Sequence, residues 1–332
     1  MICRIAAAVV LAGALAAPAA AQSVTAEADV TTGVTTSDAK AAAIQGRVFG
    51  ELKFGWRFFT EASWAKLTGD GSAAFGAAYP YSGRVRAIEN YLEGVWHPAK
   101  AVIAVKAGRY RTPFGLSARG DHAYSGLDRA PLIRYDGYFA LSNNFLEHGG
   151  SVLAGSPAMN VQVSVGRPAD VGSVQRRPGA DIVARAQAYG GPLIVGVSVS
   201  RTQPYQPELF APGRAVFSGV DARYMRGGIE VRGEWIDGHP FTGTKTRGGY
   251  ADLIAHRRAM GPLTLIARAE HLDYAAVAPF AASGSRYSLG ARVRLPAGFM
   301  AQAAAVKQTG NLQTGEYTSA LDLALTYSVR WR

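Results

Sequence analysis

The chain has 332 residues, of which 48% are hydrophobic, with 39 glycines, 15 tyrosines and a formal net charge of +11. Its one cysteine, Cys3, excludes a small scaffold held together by disulfides. Beyond the first 21 residues no segment offers roughly 18 consecutive apolar residues, so the sequence predicts no transmembrane helix.

The first 21 residues have the features of a secretory signal peptide. Arg4 gives a positive start, Ile5–Ala17 is an apolar run, and Ala19–Ala21 is an A-x-A cleavage site. An N-terminal membrane anchor is the alternative, but the run is short for a span and Pro18 interrupts it. Cleavage would leave residues 22–332, without cysteine and with a net charge of +10 after the loss of Arg4. High apolar content without a helical span, in an exported chain without cysteine, favours a β-barrel.

From Ala26 onward, apolar and polar residues alternate with a period of two. In the clearest case, Leu321–Trp331, the odd positions are apolar or aromatic and the even positions are small, polar or charged. Val161–Val165 and Ile229–Trp235 repeat the pattern. Strict alternation predicts strands with one apolar and one polar face. A soluble sandwich would show the same alternation, so the connections between the strands must decide.

Short and long connections alternate along the whole chain. Gly190–Pro192 is typical of the tight turns, whereas Thr68–Gly83 and Ser37–Ala43 are among the predicted longer links. Bacterial outer-membrane barrels combine tight periplasmic turns with longer extracellular loops in this way. Counting the segments from Thr25–Thr36 to the C-terminus gives sixteen strands. The predicted fold is an all-β transmembrane antiparallel barrel of sixteen strands over residues 22–332.

The aromatic residues agree with a membrane barrel. Trp56 and Trp64 lie eight residues apart with the same parity on the third strand. At a rise of about 3.3 Å per residue and a tilt near 40°, they span roughly 20 Å along the membrane normal, close to the height of the lipid-facing band. Core packing is the alternative for any single tryptophan. The set as a whole favours aromatic girdles.

One motif resembles a known family. The segment Gly108–Leu116, GRYRTPFGL, resembles the G-[RK]-x-x-x-P-F-G-L segment of the phosphate-selective porin O/P-like outer-membrane proteins. The preceding strand Asn90–Val95 and the alternating C-terminal strand are similar to that group as well. The resemblance implies a sixteen-stranded, trimeric barrel in a Gram-negative outer membrane that passes small solutes by diffusion. The final Arg332 departs from the usual terminal Phe or Trp. The motif positions are Gly108, Arg109, Pro113, Phe114, Gly115 and Leu116.

The motif opens the longest interval that reads as neither strand nor tight turn. This interval separates two alternating segments, Ala101–Arg111 and Phe145–Gly155, and Pro113 removes a ladder donor near its start. A link of this length in a compact domain is either functional or a sign of a wrong assignment of elements. Residues 113–143 are therefore predicted to form the third extracellular loop, which by the resemblance folds into the lumen and constricts the pore. Its candidate charged side chains are Arg119, Asp121, Asp128, Arg129, Arg134 and Asp136.

If the apolar parity faces lipid, the opposite parity lines the lumen. Basic and acidic residues of that parity are equally numerous, so the predicted wall is nearly neutral. A balanced wall does not provide the ladder of cations that a phosphate channel needs. The candidate wall residues are Arg57, Lys106, Arg185, Arg232, Arg268, Arg292 and Arg294 with Glu61, Glu230 and Glu270; the same parity includes Arg223, Arg258, Glu89, Glu93, Asp221, Glu234, Asp252 and Asp322.

The excess positive charge lies near predicted loops and strand ends, for example at Arg86 and Arg286. It has two interpretations: a funnel that attracts anions, or rim side chains that bind lipopolysaccharide phosphates. Arg109 and Arg111 have the lipid-facing parity, so they are expected at the rim or loop root, unless a bulge turns them inwards.

The sequence offers no catalytic, metal or cofactor motif. None of its six histidines has H-E-x-x-H spacing, and no G-x-S-x-G elbow occurs. Charges scattered over hairpin ends do not suggest nucleic-acid binding. The leading hypothesis is a non-enzymatic outer-membrane porin for passive diffusion with a mild anion preference. Its expected partners are outer-membrane lipid, lipopolysaccharide, small solutes or anions, and further copies in a homotrimer. The alternative is a non-conducting structural or surface-interaction barrel.

Overall fold

The computed structural model describes residues 23–37, 40–68, 83, 85–116, 129, 131–134, 146–168, 180–202, 215–240, 243–256, 260–275, 281–312 and 318–331. Within these residues, sixteen strands form one closed antiparallel barrel, in which consecutive strands pair and β1 pairs with β16. This confirms the predicted fold class. The predicted signal peptide, residues 1–21, lies outside the described residues. None of the helices in the described part is long and apolar enough to cross a membrane.

The strands contain 10 to 13 residues each. Ten residues at a tilt of about 40° span about 25 Å, the height of a lipid-facing band. The strands are β1 (Ser23–Thr35), β2 (Lys40–Glu51), β3 (Trp56–Thr68), β4 (Arg86–Trp96), β5 (Val102–Arg111), β6 (Leu146–Gly155), β7 (Met159–Pro168), β8 (Asp181–Gly190), β9 (Leu193–Thr202), β10 (Ala215–Arg226), β11 (Ile229–His239), β12 (Lys245–Ala255), β13 (Leu263–Ala275), β14 (Ala282–Arg294), β15 (Phe299–Gly310) and β16 (Ser319–Trp331).

The two ends of the barrel differ. One end, the turn end, carries the short connections, such as the two-residue turn Gly227–Gly228. The first residue of β1 and the last residue of β16 also lie there. Both glycines there have positive φ, 60° and 77°, as a tight hairpin turn requires. The opposite end, the loop end, carries the longer connections, including the one from β5 to β6. Two-residue turns leave no room for a binding loop, so any lid or constriction must come from the loop end.

The alternating pattern separates the two faces of the wall. On β7 and β9, alternate valines such as Val163 and Val197 are exposed on the outside, 44% and 55%, whereas Ser164 and Ser198 on the inner parity are buried. Trp56 and Trp96 meet edge to face near the turn end, with ring centroids 5.4 Å apart. A closed barrel has no unpaired strand edges, and exposed apolar side chains cover much of its outer face.

One predicted boundary was wrong. The link Ser37–Ala43 was too long, since β2 already begins at Lys40. The run Lys40–Ile44 is mostly alanine, which shows no contrast between the two faces, so alternation could not be detected there.

Candidate pore

The interior of the barrel contains many ion pairs. Inward carboxylates such as Glu61, Glu93, Asp221, Asp252 and Glu270 are each contacted by an arginine or lysine of the wall. The pairs divide into two groups that differ in their access to water. This difference organises the site.

The first group, the covered wall, is dry. Arg185 pairs with Asp221 at 2.7 Å, Arg268 with Asp252 at 2.6 Å, and Arg286 with Glu270 at 2.6 Å. No side chain in these pairs is more than 2% exposed. They lie on β8, β10 and β12 to β14. Charges buried so completely are tolerated only because each one is neutralised and hydrogen-bonded.

The second group, the open wall, lies on β2 to β5 and is partly exposed. Arg57 contacts Glu93 at 2.7 Å, and Lys106 contacts the other oxygen of the same carboxylate at 3.6 Å. Arg47 contacts Glu61 at 3.3 Å. The Arg57 side chain is 55% exposed, and those of Lys106 and Arg47 are 19% and 17% exposed. The cations of these pairs are therefore accessible to water.

Arg129, from the long connection, lies across the barrel from its own anchor strands. Its guanidinium binds the Asp322 carboxylate of β16 through Nε and Nη2, at 2.5 and 2.9 Å. Its carbonyl oxygen accepts a hydrogen bond from Arg268 of β13 at 3.2 Å. Arg129 is 3% exposed. A residue between β5 and β6 reaches these partners only by passing through the interior.

The next described turn, Leu132–Arg134, shows how deep the loop lies. The Leu132 amide donates to the Glu270 carboxylate at 2.8 Å. Glu270 lies five residues below the loop end of β13, which corresponds to a depth of about 13 Å. Leu132 and Ile133 are fully buried. The described parts of segment 113–143 therefore lie inside the barrel and not over its rim.

The motif Pro113–Leu116 anchors the start of the same segment on the covered wall. The Gly115 amide donates to Ser198 of β9 at 3.1 Å, and the Leu116 amide donates to Glu234 of β11 at 3.1 Å. Gly115 has φ of 55°, and a Cβ there would collide with the Glu234 carboxylate. Only glycine fits this combination of left-handed backbone and close approach.

The Phe114 ring packs against another glycine, Gly219 of β10. A Cβ on Gly219 would come within 3.1 Å of the Phe114 ring, so the missing side chain on β10 makes room for it. Around this ring and the second loop segment, apolar side chains form a buried cluster inside the barrel. Its members are Phe114, Leu132, Ile133, Val183, Ala215, Phe217, Ile236, Tyr250, Leu272, Tyr274, Ala282 and Leu312.

This cluster inverts the expected pattern of the wall near the loop end. Along β13, Leu265 faces outwards below Glu270, whereas Leu272 and Tyr274 face inwards above it. The outward positions there are polar: Asp273 binds Arg247 of β12 at 3.0 Å. The inversion marks the level at which the outer face becomes polar and the loop packs inside.

Most predicted wall residues lie on the inner parity of their strands. Arg57, Lys106, Arg185, Arg232, Arg268, Glu61, Glu230 and Glu270 all join the ion pairs of the interior, while Arg292 and Arg294 share that parity near the turn end of β14. Of the predicted loop side chains, Arg119, Asp121, Asp128 and Asp136 lie outside the described residues, as does Arg258. Arg134 is described only as part of its 3₁₀ turn.

One assignment of a basic residue needs correction, while Arg109 and Arg111 lie at the loop root, as expected for one of their stated positions. Arg286, predicted near a loop, is fully buried in the covered wall. Arg111 belongs to the interior at the loop root, where its guanidinium contacts Glu61 and Glu89, each at 3.3 Å. Arg109 donates to the Ile88 carbonyl at 3.0 Å, beside a bulge between β3 and β4. The shared parity of Arg286 with Arg292 and Arg294 was the signal that could have placed it.

Several interior charges were not predicted at all. Arg47 and Arg330 both contact Glu27 of β1, at 3.9 and 3.2 Å, and Arg47 also contacts Asp29 at 3.5 Å. Glu147 of β6 is buried and accepts a hydrogen bond from Ser164 at 2.9 Å. In the described part of the chain, no group of three or more His, Cys, Asp or Glu side chains is placed to hold a metal ion.

The sequence matches no protein-family model and no curated protein. The fold, in contrast, resembles solved porins. An OmpF structure from Salmonella typhi in complex with daunomycin superposes with a TM-score of 0.63 at 9% identity, over 92% of this chain and 97% of that chain. An anion-selective porin from Comamonas acidovorans gives 0.60 at 11% identity, over 92% and 99%. OmpT of Vibrio cholerae, in a trimer form, gives 0.58 at 11%, over 93% and 98%. At these identities the similarity shows the porin fold.

Proposed function

We propose that this chain is an outer-membrane porin of a Gram-negative bacterium, exported with a cleaved signal peptide, through which small hydrophilic solutes diffuse passively. The observation that carries the proposal is the interior position of the described residues of segment 113–143, bound at mid-depth to an ion-paired wall. A barrel that served only as a surface anchor would not need a loop folded about 13 Å below its rim. The porin fold of the similar structures supports the same function.

We infer that the segment narrows the lumen from the side of the covered wall. Its described residues contact the covered wall and β16, whereas the open wall on β2 to β5 keeps exposed charges. Solutes therefore pass between the loop and the open wall. The loop-side charges in this passage would come from Arg119, Asp121, Asp128, Arg134 and Asp136, while Arg129 holds the loop in place through Asp322.

The selectivity we propose is a mild anion preference. Interior ion pairs balance most of the wall, but Arg57 and Arg294 remain exposed in the half near the turn end. An exposed cation in a water-filled passage raises the local concentration of anions. The motif Gly108–Leu116 supports membership of the phosphate-selective porin O/P-like group. Phosphate specificity is not part of the proposal, because paired cations leave no continuous ladder for the anion.

The outside of the barrel supports two kinds of partner. The exposed apolar band of valines and leucines fits outer-membrane lipid. Above it, Lys245 and Arg247 face outwards near the loop end, with side chains 51% and 55% exposed, and fit lipopolysaccharide phosphates. Assembly as a homotrimer is supported by the similarity to a porin-fold protein solved in a trimer form.

Conductance in planar bilayers tests the proposed function. The purified full-length chain should insert and give discrete current steps in potassium chloride, with a reversal potential in a salt gradient that modestly favours chloride. Absence of current from correctly folded protein would contradict the channel. A reversal potential that favours potassium would contradict only the anion preference.

One observation favours the second candidate, a non-conducting barrel. The apolar cluster around Phe114, Leu132 and Phe217 fills part of the interior, which a wide water-filled pore does not need. If the segment closed the remaining space, the protein would be a structural or surface-interaction barrel. The same conductance measurement separates the two candidates, and neither requires an enzymatic activity.

A further inference from the structure

An aromatic ladder crosses the open wall in the half nearer the turn end. Phe49, Phe59 and Tyr91 lie directly opposite one another on β2, β3 and β4. Their rings are nearly parallel, with centroids 6.2 Å apart for the first pair and 5.3 Å for the second. Parallel rings at these separations form offset stacks. All three residues are on the inner parity, with Phe59 between Arg57 and Glu61.

Each end of the ladder carries a cation. The Lys106 ammonium lies 4.3 Å from the centre of the Tyr91 ring and 5.8 Å from that of Tyr110. The Arg330 guanidinium lies 5.9 Å from the centre of the Phe49 ring. The ladder thus rises from the turn end, at Arg330 and Phe49, to the root of the loop at Tyr110.

The ladder differs from the other aromatic residues of the interior. Phe114 and Phe217 are 1% exposed and belong to the apolar cluster, so their burial accounts for them. Phe49, Phe59 and Tyr91 are only half-buried, in a wall that also carries the charged side chains of Arg47, Arg57, Glu61 and Glu93. The exposed parts of the two phenylalanine rings cannot form hydrogen bonds with water. Their exposed surface instead suits a solute with an apolar ring.

Arg57 lies two residues from Phe59 on the same face of β3, at a spacing of about 7 Å. Its Nε and Nη2 both contact a single oxygen of Glu93, each at 2.7 Å. Within the described residues, Nη1 contacts no carboxylate, and the side chain is 55% exposed. An arginine in this position can bind a carboxylate beside the ring surface.

We propose that Phe49, Phe59 and Tyr91 form a binding track for solutes that combine one aromatic ring with one carboxylate. The ring lies against Phe59 and its neighbours, and the carboxylate binds Arg57. The track rests on the proposed function in one respect, because solutes reach it through an open lumen. The track would guide such solutes along the open wall. Aromatic monocarboxylates are therefore the substrate class that we propose.

Binding of benzoate to the full-length protein in detergent, followed by saturation-transfer NMR, tests the track. Benzoate should bind more tightly than acetate, which lacks the ring, and more tightly than cyclohexanecarboxylate, which lacks the planar face. Phe59→Leu keeps the apolar bulk and should weaken benzoate binding about fivefold. Phe58→Leu is the matched control, since Phe58 has the outward parity of the same strand, and it should leave binding unchanged. Circular dichroism confirms that each variant is folded.

Two further comparisons make the test decisive. Arg57→Gln should weaken the binding of benzoate but not that of benzyl alcohol, which has the ring without the charge. Equal binding of benzoate and acetate, or equal effects of Phe59→Leu and Phe58→Leu, would overturn the track. Conductance recorded in parallel separates the two proposals. Benzoate binding through Phe59 without ion current would contradict the porin alone, and current without ring-dependent binding would contradict the track alone.

Discussion

The covered wall and the open wall contain the same types of ion pair, yet they differ in their exposure to water. In both, arginines pair with carboxylates at distances of 2.6 to 3.3 Å. In the covered wall the pairs lie beneath the loop and exclude water, whereas Arg57 of the open wall is half exposed. A buried pair is costly to break because the remaining charge cannot be solvated, while an exposed pair contributes little. The described residues of one loop therefore divide the interior into a buried side and a side that is accessible to water.

The largest difference between the walls should appear in stability. Arg286→Met leaves the buried Glu270 carboxylate without its cation and should lower the free energy of unfolding by about 3 kcal/mol or more. Arg57→Met, the matched change in the open wall, should lower it by less than about 1 kcal/mol. Urea unfolding in lipid vesicles, followed by tryptophan fluorescence, measures both. Equal losses would contradict the division into two walls.

A smaller effect is expected at the glycine that anchors the loop. Gly115→Ala forces a left-handed backbone on alanine and pushes its Cβ against Glu234. Gly191→Ala provides the control, because Gly191 has nearly the same φ of 57° but nothing within 4 Å of the added carbon. The control should cost about 1 kcal/mol and Gly115→Ala about 1 to 3 kcal/mol more, from the lost hydrogen bonds to the loop. The same unfolding experiment tests this, and identical losses would remove the anchoring role.

The smallest effect concerns selectivity. Both arginines are ion-paired, but Arg57→Gln removes a charge that is 55% exposed in the open wall, whereas Arg185→Gln removes a charge that is fully buried in the covered wall. We expect the reversal potential in a salt gradient to shift by a few millivolts towards potassium for the first variant, and to stay unchanged for folded protein of the second. A larger shift for Arg185→Gln would show that the covered wall is accessible to ions.

The strands and their order could be predicted because each strand of a membrane barrel has an apolar face and a polar face. Leu321–Trp331 alternates without interruption, and the tight turns contain glycine or proline that cannot continue a strand. The parity of each strand then predicts that Arg268 and Glu270 lie on the inner face of the wall. Alternation was lost only where alanine occupies both faces, as in Lys40–Ile44.

The covered wall could not be predicted in the same way. The inward packing of apolar residues such as Leu272 and Phe217 near the loop end was not predicted, because it depends on the loop that packs against them. Burial of Arg286 also depends on that packing, and no local pattern near β14 reveals it. What a wall residue does is decided by a segment more than a hundred positions away in the chain. The inversion of polarity along β13 is the one local sign of that contact.

The central claim, that segment 113–143 narrows a conducting barrel, is tested most directly by single-channel recording of a variant that lacks residues 117–137. Deletion removes Arg129 and Leu132, which hold the loop against Asp322 and Glu270, while it leaves every strand intact. Circular dichroism first establishes that the barrel is still folded. The account predicts current steps clearly larger than those of the native chain, because the passage widens. Steps of unchanged size would contradict the constriction, and absence of current from both proteins would contradict the channel itself.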